Sequence, residues 1–63
     1  MIHMDVGEVR IDEFESLLLV LEDVIEIKEK RYLIKILGSN LRIISMNGQE
    51  IVCDGIISEV LFL

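Results

Sequence analysis

The chain has almost none of the residues that cross-link a small protein or that serve most often in catalysis. Its 63 residues include one cysteine, one histidine, no proline and no tryptophan. A lone Cys53 excludes an intramolecular disulfide and fits a reducing compartment or an inert buried thiol. With His3 as the only histidine, we expect no metal site, and nothing in the residues suggests a cofactor. Stability therefore has to come from apolar packing or from a partner.

Basic residues are scarce as well. Six Lys and Arg oppose twelve Asp and Glu, which gives a formal net charge of −6. Binding to phosphate backbones needs clustered Lys and Arg, so we expect no nucleic-acid partner. The acidic residues crowd the first quarter of the chain, and we interpret residues 1–8 as a poorly ordered, solubilising leader. The alternative is an acidic docking segment for a basic partner.

Long hydrophobic runs are also missing. The longest, Leu17 to Leu21, has the length of a strand and is far from the ~18 residues that a membrane span needs. Residues 1–9 show neither a basic n-region nor an apolar h-region, so we expect no signal peptide. The length allows one domain, residues 1–63. We expect a soluble, cytoplasmic protein with no direct membrane insertion.

What the chain does contain is apolar residues, which make up 52% of it. In the second half, alternating apolar runs are separated by Gly-Ser-Asn at 38–40 and by Asn-Gly at 47–48. Asn-Gly between such runs predicts a hairpin, because a type I′ turn needs positive φ at both central positions. We expect Gly38 to have a positive φ and Gly55 to lie at a strand bend with little room for a Cβ. The predicted turn and bend residues are Gly38, Asn40, Asn47, Gly48 and Gly55.

Residues 32–37, 41–45 and 51–62 are predicted strands. The apolar alternation of the last one slips by one residue near Ser58-Glu59, which a β-bulge would explain. A second apolar set occupies the face opposite the predicted core, where a wet sheet face should be mostly polar. Either the sheet closes on itself and buries both faces, or this set meets another chain; we favour the interface. The candidate interface residues are Leu33, Leu37, Ile44, Val52, Ile56 and Leu61.

Residues 13–29 are ambiguous. Their apolar residues follow the i, i+3, i+4, i+7 spacing of an amphipathic helix, and Asp12 with Glu15 resembles a capping box. Against a helix, Leu19 and Val20 fall off the apolar stripe, and residues 25–28 alternate as a strand does. The residues alone leave the two interpretations nearly even.

The stretch from residue 21 to residue 63 resembles the YabP/YqfC family of small sporulation proteins. The family pattern I-x-I-x-G-x-x-L-x-I is matched by Ile34 to Ile43, with its glycine at Gly38. The closing pattern I-x-V-x-G-x-I-x-x-I-x-Y is matched from Ile51 to Phe62. Cys53 departs from the pattern, since an aliphatic residue is usual there.

The resemblance implies strands rather than a helix through residues 17–28, and a non-enzymatic assembly role in endospore formation. We therefore predict an all-β domain, a small antiparallel meander of five to seven short strands curled into a sandwich or roll. The alternative fold is α+β, with one helix at about 13–29. The expected partner is a second copy, giving a homo-oligomer, or another sporulation protein, possibly membrane-bound. We expect no enzymatic activity; the alternative function is a small β-barrel that binds a ligand, or a regulatory domain.

Overall fold

The structure, a computed structural model, describes residues 2–63 as one sheet of six antiparallel strands without a helix. The all-β prediction is thus confirmed, and the alternative with a helix at 13–29 is wrong. Strands β3 to β6 form a meander in chain order, while the β1–β2 hairpin joins the free side of β6, which gives the order β1-β2-β6-β5-β4-β3. The strands are β1 Ile2–Asp5, β2 Glu8–Asp12, β3 Ser16–Val20, β4 Val24–Lys28, β5 Leu33–Met46 and β6 Glu50–Phe62.

The two long strands bend the sheet over onto itself. Fourteen residues of β5 would span about 46 Å if straight, at about 3.3 Å per residue, yet the longest extent of the molecule is 26 Å. The bend divides the sheet into two halves. Leaf A contains β1, β2 and residues 41–46 and 50–55 of the long strands. Leaf B contains β3, β4 and residues 33–38 and 57–62.

The core lies between the two leaves. Leaf B contributes isoleucines at alternate positions of β4 and β5, because successive side chains of a strand point to opposite faces. Leaf A contributes alternate residues of β2 and β6. The apolar alternation of the sequence places Ile34 and Ile36 on one face of β5, and Ile51 and Cys53 on one face of β6, and these residues are buried. Phe62, which continues the alternation after the phase slip, is 50% exposed. The core cluster is Val9, Ile11, Ile25, Ile27, Ile34, Ile36, Leu41, Ile51 and Cys53, with Ile43, Ile57 and Val60 packed against it.

Two glycines allow the bend. A Cβ on Gly55, whose φ is +136°, would lie 2.7 Å from the carbonyl oxygen of Asn40 and 2.9 Å from Cα of Leu41. The prediction of a bend with no room for a Cβ is therefore confirmed. A Cβ on Gly38 would meet the carbonyl oxygen of Ile56. The predicted positive φ at Gly38 is wrong, since only Gly7 and Gly55 have a positive φ among the glycines of the described residues. Gly38 is required instead by the close approach of β6.

Residues 38–40 do not reverse the chain, contrary to the prediction of a turn. The β5–β6 ladder continues across them with shifts in register, so one bent strand replaces the two expected strands. Asn40 adopts a positive φ of 53° at this point. Leu37 faces Glu59 and Gly38 faces Ile57, which leaves Ser58 as an extra residue. The bulge expected near Ser58-Glu59 is thus confirmed.

The Asn47-Gly48 hairpin is present, but the prediction of a type I′ turn is wrong. Neither residue has a positive φ. Instead the Asn47 side-chain oxygen accepts hydrogen bonds from the backbone N–H groups of Gln49 (2.8 Å) and Glu50 (2.9 Å). This Asx-type closure gives the turn an additional residue and removes the need for left-handed backbone.

The N-terminal segment is folded, which corrects the expectation of a poorly ordered leader over 1–8. Ile2–Asp5 pair with Glu8–Asp12 as a hairpin, and Val9 and Ile11 are buried in the core. Met1 lies outside the described residues. Three of four residues in β1 are exposed, although Ile-His-Met-Asp alternates apolar and polar residues as a strand does.

Candidate interaction surfaces

The outer face of leaf B carries three of the six candidate interface residues. Leu33 and Leu37 flank Lys35 on β5, and Leu61 lies directly across from Lys35 on β6. None of the three leucines belongs to the core cluster, and all three are half-buried. Charged residues alternate with them. The ladder places Glu26 opposite Lys35 and Glu59 opposite Leu37, so apolar and charged side chains alternate on this face.

The other three candidates lie elsewhere. Ile56 is 63% exposed beside the bend, and Ile44 is 47% exposed on leaf A, where a register shift makes it an extra residue of β5. Val52 is only 5% exposed. It lies between Arg10 and Ser45 in the ladders, outside the core cluster. The structure therefore keeps all six residues out of the core cluster, but it does not gather them into one patch.

The edge strand β3 is a surface that sequence reasoning missed. In the strand order it has a single hydrogen-bonded neighbour, β4. Leu18, Leu19, Val20 and Leu21 are 36–54% exposed along it. The available signal was the apolar run of residues 17–21, but its position at an edge depends on the order of strands that are distant in sequence.

The outer face of leaf A is charged. Arg10 on β2 lies 3.6 Å from Glu8 and 3.9 Å from Glu50, and His3 on β1 lies 3.6 Å from Asp12. These five side chains line an open depression. All the ion pairs are at least partly solvated, so each contributes little to stability. Glu8 of the acidic N-terminal run is therefore placed in an ion pair of the sheet, and Asp12 faces the His3 imidazole.

Arg42 and Asp54 form the best-defined ion pair of this face. The guanidinium donates two hydrogen bonds to the carboxylate, from Nε at 2.7 Å and from an NH₂ group at 3.2 Å. This pairing lowers the pKa of Asp54 below its ordinary value, and it raises the pKa of Arg42. The two residues face each other across the β5–β6 ladder, beside Gly55.

Cys53 is fully buried in the core. Desolvation by burial, and secondarily the nearby Asp54 carboxylate, raises the pKa of its thiol to about 11. The thiolate is the reactive form of cysteine, so this side chain acts as a small hydrophobe at neutral pH. Within residues 2–63, no group of three or more His, Cys, Asp or Glu side chains is arranged to hold a metal ion.

The surfaces described above are those of a small open sheet with two edges and two outer faces. Comparisons with family models, with curated proteins and with solved structures gave no match. The resemblance to the YabP/YqfC family therefore stays a prediction. The described residues also include no helix with the length and apolar character needed to cross a bilayer.

Proposed function

We propose that this chain is a non-enzymatic assembly protein that works through protein–protein contacts, either with a second copy or with another protein. The observation that supports the proposal is the placement of Leu33, Leu37 and Leu61. They lie outside the core cluster on the outer face of leaf B, where Leu61 is diagonal to both Leu33 and Leu37 and Lys35 lies between the latter two. Fully burying one leucine stabilises by about 1.5–3 kcal/mol, so covering this face supplies a driving force for association.

The sharpest test introduces charges that the fold tolerates and an interface does not. In the variant Leu37→Lys with Leu61→Glu, each new charge faces an opposite charge across the ladder, namely Glu59 and Lys35. We expect the variant to keep its β circular dichroism and to lose self-association or partner binding, measured by light scattering. A wild-type monomer that also captures no partner, or a variant that assembles like the wild type, would contradict the proposal.

A matched control places the same two charges on leaf A. Val6 and Met46 are 99% and 55% exposed, so Val6→Lys with Met46→Glu keeps the net charge of the test variant. Assembly should be unchanged in this control. The burial of Val52 excludes it as a test position, because a charge there would unfold the protein whether or not the outer face forms an interface.

We further propose that the protein acts in the cytoplasm of a spore-forming cell during endospore formation. The support is the resemblance carried by the glycines at 38 and 55. The structure gives both of them a packing role at the bend, so the motif argues for a shared fold first and a shared function second. Deleting the gene should lower the yield of heat-resistant spores without affecting vegetative growth. A normal spore yield would contradict this placement and leave the assembly proposal standing.

A further inference from the structure

The outer edge of β3 has the properties of a docking site for an extended segment of another protein. Antiparallel strands direct alternate N–H and C=O groups to opposite sides. Leu21 donates to Val24 on β4 at 2.8 Å, so the groups of its neighbour Val20 point away from β4. Natural edge strands are protected by lysine, proline or inward charges, or by a bulge or a short length. β3 reads Ser-Leu-Leu-Leu-Val, has no protective residue and carries one bulge, at Leu18.

Charge decides what kind of strand can pair there. Glu13 and Glu15 precede β3, Glu22 and Asp23 follow it, and all four are exposed. No Lys or Arg occurs between Arg10 and Lys28. The nearest cation in the ladder is Lys28, which lies across from Ser16 on β4. The edge is thus an apolar centre between two acidic ends.

A second copy fits this edge poorly. If two β3 strands paired antiparallel about Leu18, Glu13 of one copy would lie opposite Asp23 of the other, at both ends of the pair. Like charges directly opposite one another in a sheet are destabilising, and each copy carries a net charge of −6. A register shift between Leu17 and Leu19 also marks a bulge at Leu18, and bulges disrupt regular pairing.

We infer that the β3 edge binds an extended peptide segment with an apolar centre of about five residues and a Lys or Arg at each end. Glu15 precedes β3 and Glu22 follows it, so the basic residues of the partner should flank its apolar centre in the same way. The bulge limits regular backbone pairing to short stretches on either side of Leu18. Backbone pairing in these stretches and contacts of side chains and charges therefore both contribute to the affinity. This inference goes beyond the proposed function, because it concerns a backbone edge instead of the outer face of leaf B.

The test uses the full chain and three fluorescein-labelled peptides in a fluorescence anisotropy titration. The first is Lys-Arg-Val-Thr-Val-Ile-Val-Arg-Lys. The second has Glu and Asp at its ends, and the third is the basic peptide with both its Thr and its Ile, on either side of the centre, replaced by proline. We expect the first peptide to bind at least tenfold more tightly than either of the others. Equal binding of the proline peptide would overturn the inference, because it would show attraction without strand pairing.

A charge swap on the protein tests the proposed chemistry of the partner. Glu15→Lys with Glu22→Lys should reverse the preference, so that the acidic-ended peptide binds more tightly than the basic one. Asp5→Lys with Glu59→Lys makes the same change in net charge away from β3, and it should keep the original preference. A swap variant that still prefers the basic peptide would overturn the inference.

Substitutions on the edge itself locate the binding. Leu18→Lys with Leu21→Lys places two cations at exposed positions of the edge and should abolish binding of the basic peptide. If circular dichroism shows that this variant is unfolded, Val20→Thr replaces it, with an expected severalfold loss. Retention of binding in a folded variant would contradict the location.

Two further results separate this inference from the proposed function. The Leu37→Lys, Leu61→Glu variant should bind the basic peptide like the wild type. If no peptide binds while wild-type self-association is lost in that outer-face variant, the edge inference fails and the assembly proposal stands. If self-association is lost on changing β3 alone, the occupant of the edge is a second copy, and the proposed partner chemistry is wrong.

Discussion

Replacing Gly55 by alanine should cost much more stability than the same change at Gly48. Two independent effects add at this position. The φ of +136° lies in a region that L side chains rarely adopt, and strain of this kind costs about 1–3 kcal/mol. The added methyl would also come within 3 Å of backbone atoms of Asn40 and Leu41. Backbone cannot move aside as a flexible side chain can, and overpacking costs about 1–3 kcal/mol more.

The expected total of about 2–6 kcal/mol is comparable to the whole stability of the domain. A chain of 63 residues has a free energy of unfolding of about 3–9 kcal/mol, at roughly 0.05–0.15 kcal/mol per residue. Gly55→Ala is therefore expected to lose a large part of the free energy of unfolding, and to unfold at 25 °C if the loss lies at the upper end of this range. Urea unfolding followed by far-UV circular dichroism measures the effect, since the midpoint should fall sharply while the slope m stays unchanged in any variant that still folds.

Two other glycines serve as controls with opposite expectations. Gly38→Ala should also destabilise strongly, by steric contact with Ile56 alone, because its φ is not in the positive region. Gly48 has no atom within 4 Å of a built Cβ and no positive φ. Gly48→Ala should be neutral or should stabilise by about 0.4–1 kcal/mol through the unfolded state. A Gly55→Ala midpoint equal to the Gly48→Ala midpoint would refute the bend as described.

Three further predictions follow from single side chains. Asn47→Ala removes the acceptor of two backbone hydrogen bonds and should lower the free energy of unfolding by about 1–2 kcal/mol in urea titrations, whereas an unchanged midpoint would contradict the Asx closure. The Arg42 guanidinium holds the pKa of Asp54 below its ordinary value of 3.8, so the pair stabilises the fold above that pH and loses its effect as the pH falls through the lowered pKa. Asp54→Asn should therefore flatten the loss of stability in acid unfolding curves, and parallel curves would show that the pair contributes nothing. Cys53, buried and with a pKa of about 11, should react with iodoacetamide at pH 8 only after denaturation, and fast labelling of the native protein would contradict its burial.

Much of the core was predictable because the physics involved is local. Period-two alternation identified Ile34, Ile36, Ile51 and Cys53 as inward residues, and the phase slip located the bulge at Ser58. A strand must turn alternate side chains to one face, so the pattern remains visible without knowledge of the partner strand. The segment 13–29 was different, since its apolar residues satisfy both the helical and the strand period.

The bend could not be distinguished from a turn in the sequence. Gly-Ser-Asn at 38–40 supplies the same permissive residues in both cases. The bend differs from a turn in that the β5–β6 ladder continues on both sides of it, so that Gly38 packs against Ile56 and Gly55 packs against Asn40. These contacts join residues far apart in sequence, and only the pairing of the whole hairpin determines them.

The sequence predicted that the candidate interface residues lie outside the core cluster, but it could not predict which of them share one surface. The alternation of side chains along the strands predicted that Leu33, Leu37 and Leu61 point outward, and the structure agrees. The same alternation could not predict that Val52 would be buried, with Arg10 and Ser45 as its neighbours across the ladders. The pairing of β2 with β6 joins the two ends of the chain, and no short-range pattern indicates it. The edge position of β3 was hidden for the same reason.

The two leaves divide the surplus of apolar residues unequally, and this asymmetry argues for a directional assembly. Leaf A turns its ion pairs outward, including Arg42 with Asp54 and Arg10 with Glu8 and Glu50. Leaf B combines its outward leucines with the unpaired apolar edge of β3. A partner that covers leaf B buries the apolar area of the leucines together with Glu26, Lys35 and Glu59. A partner that covers leaf A must desolvate a face of charges that already have partners. The proposed assembly is therefore expected to form through leaf B, while leaf A keeps its charges in water.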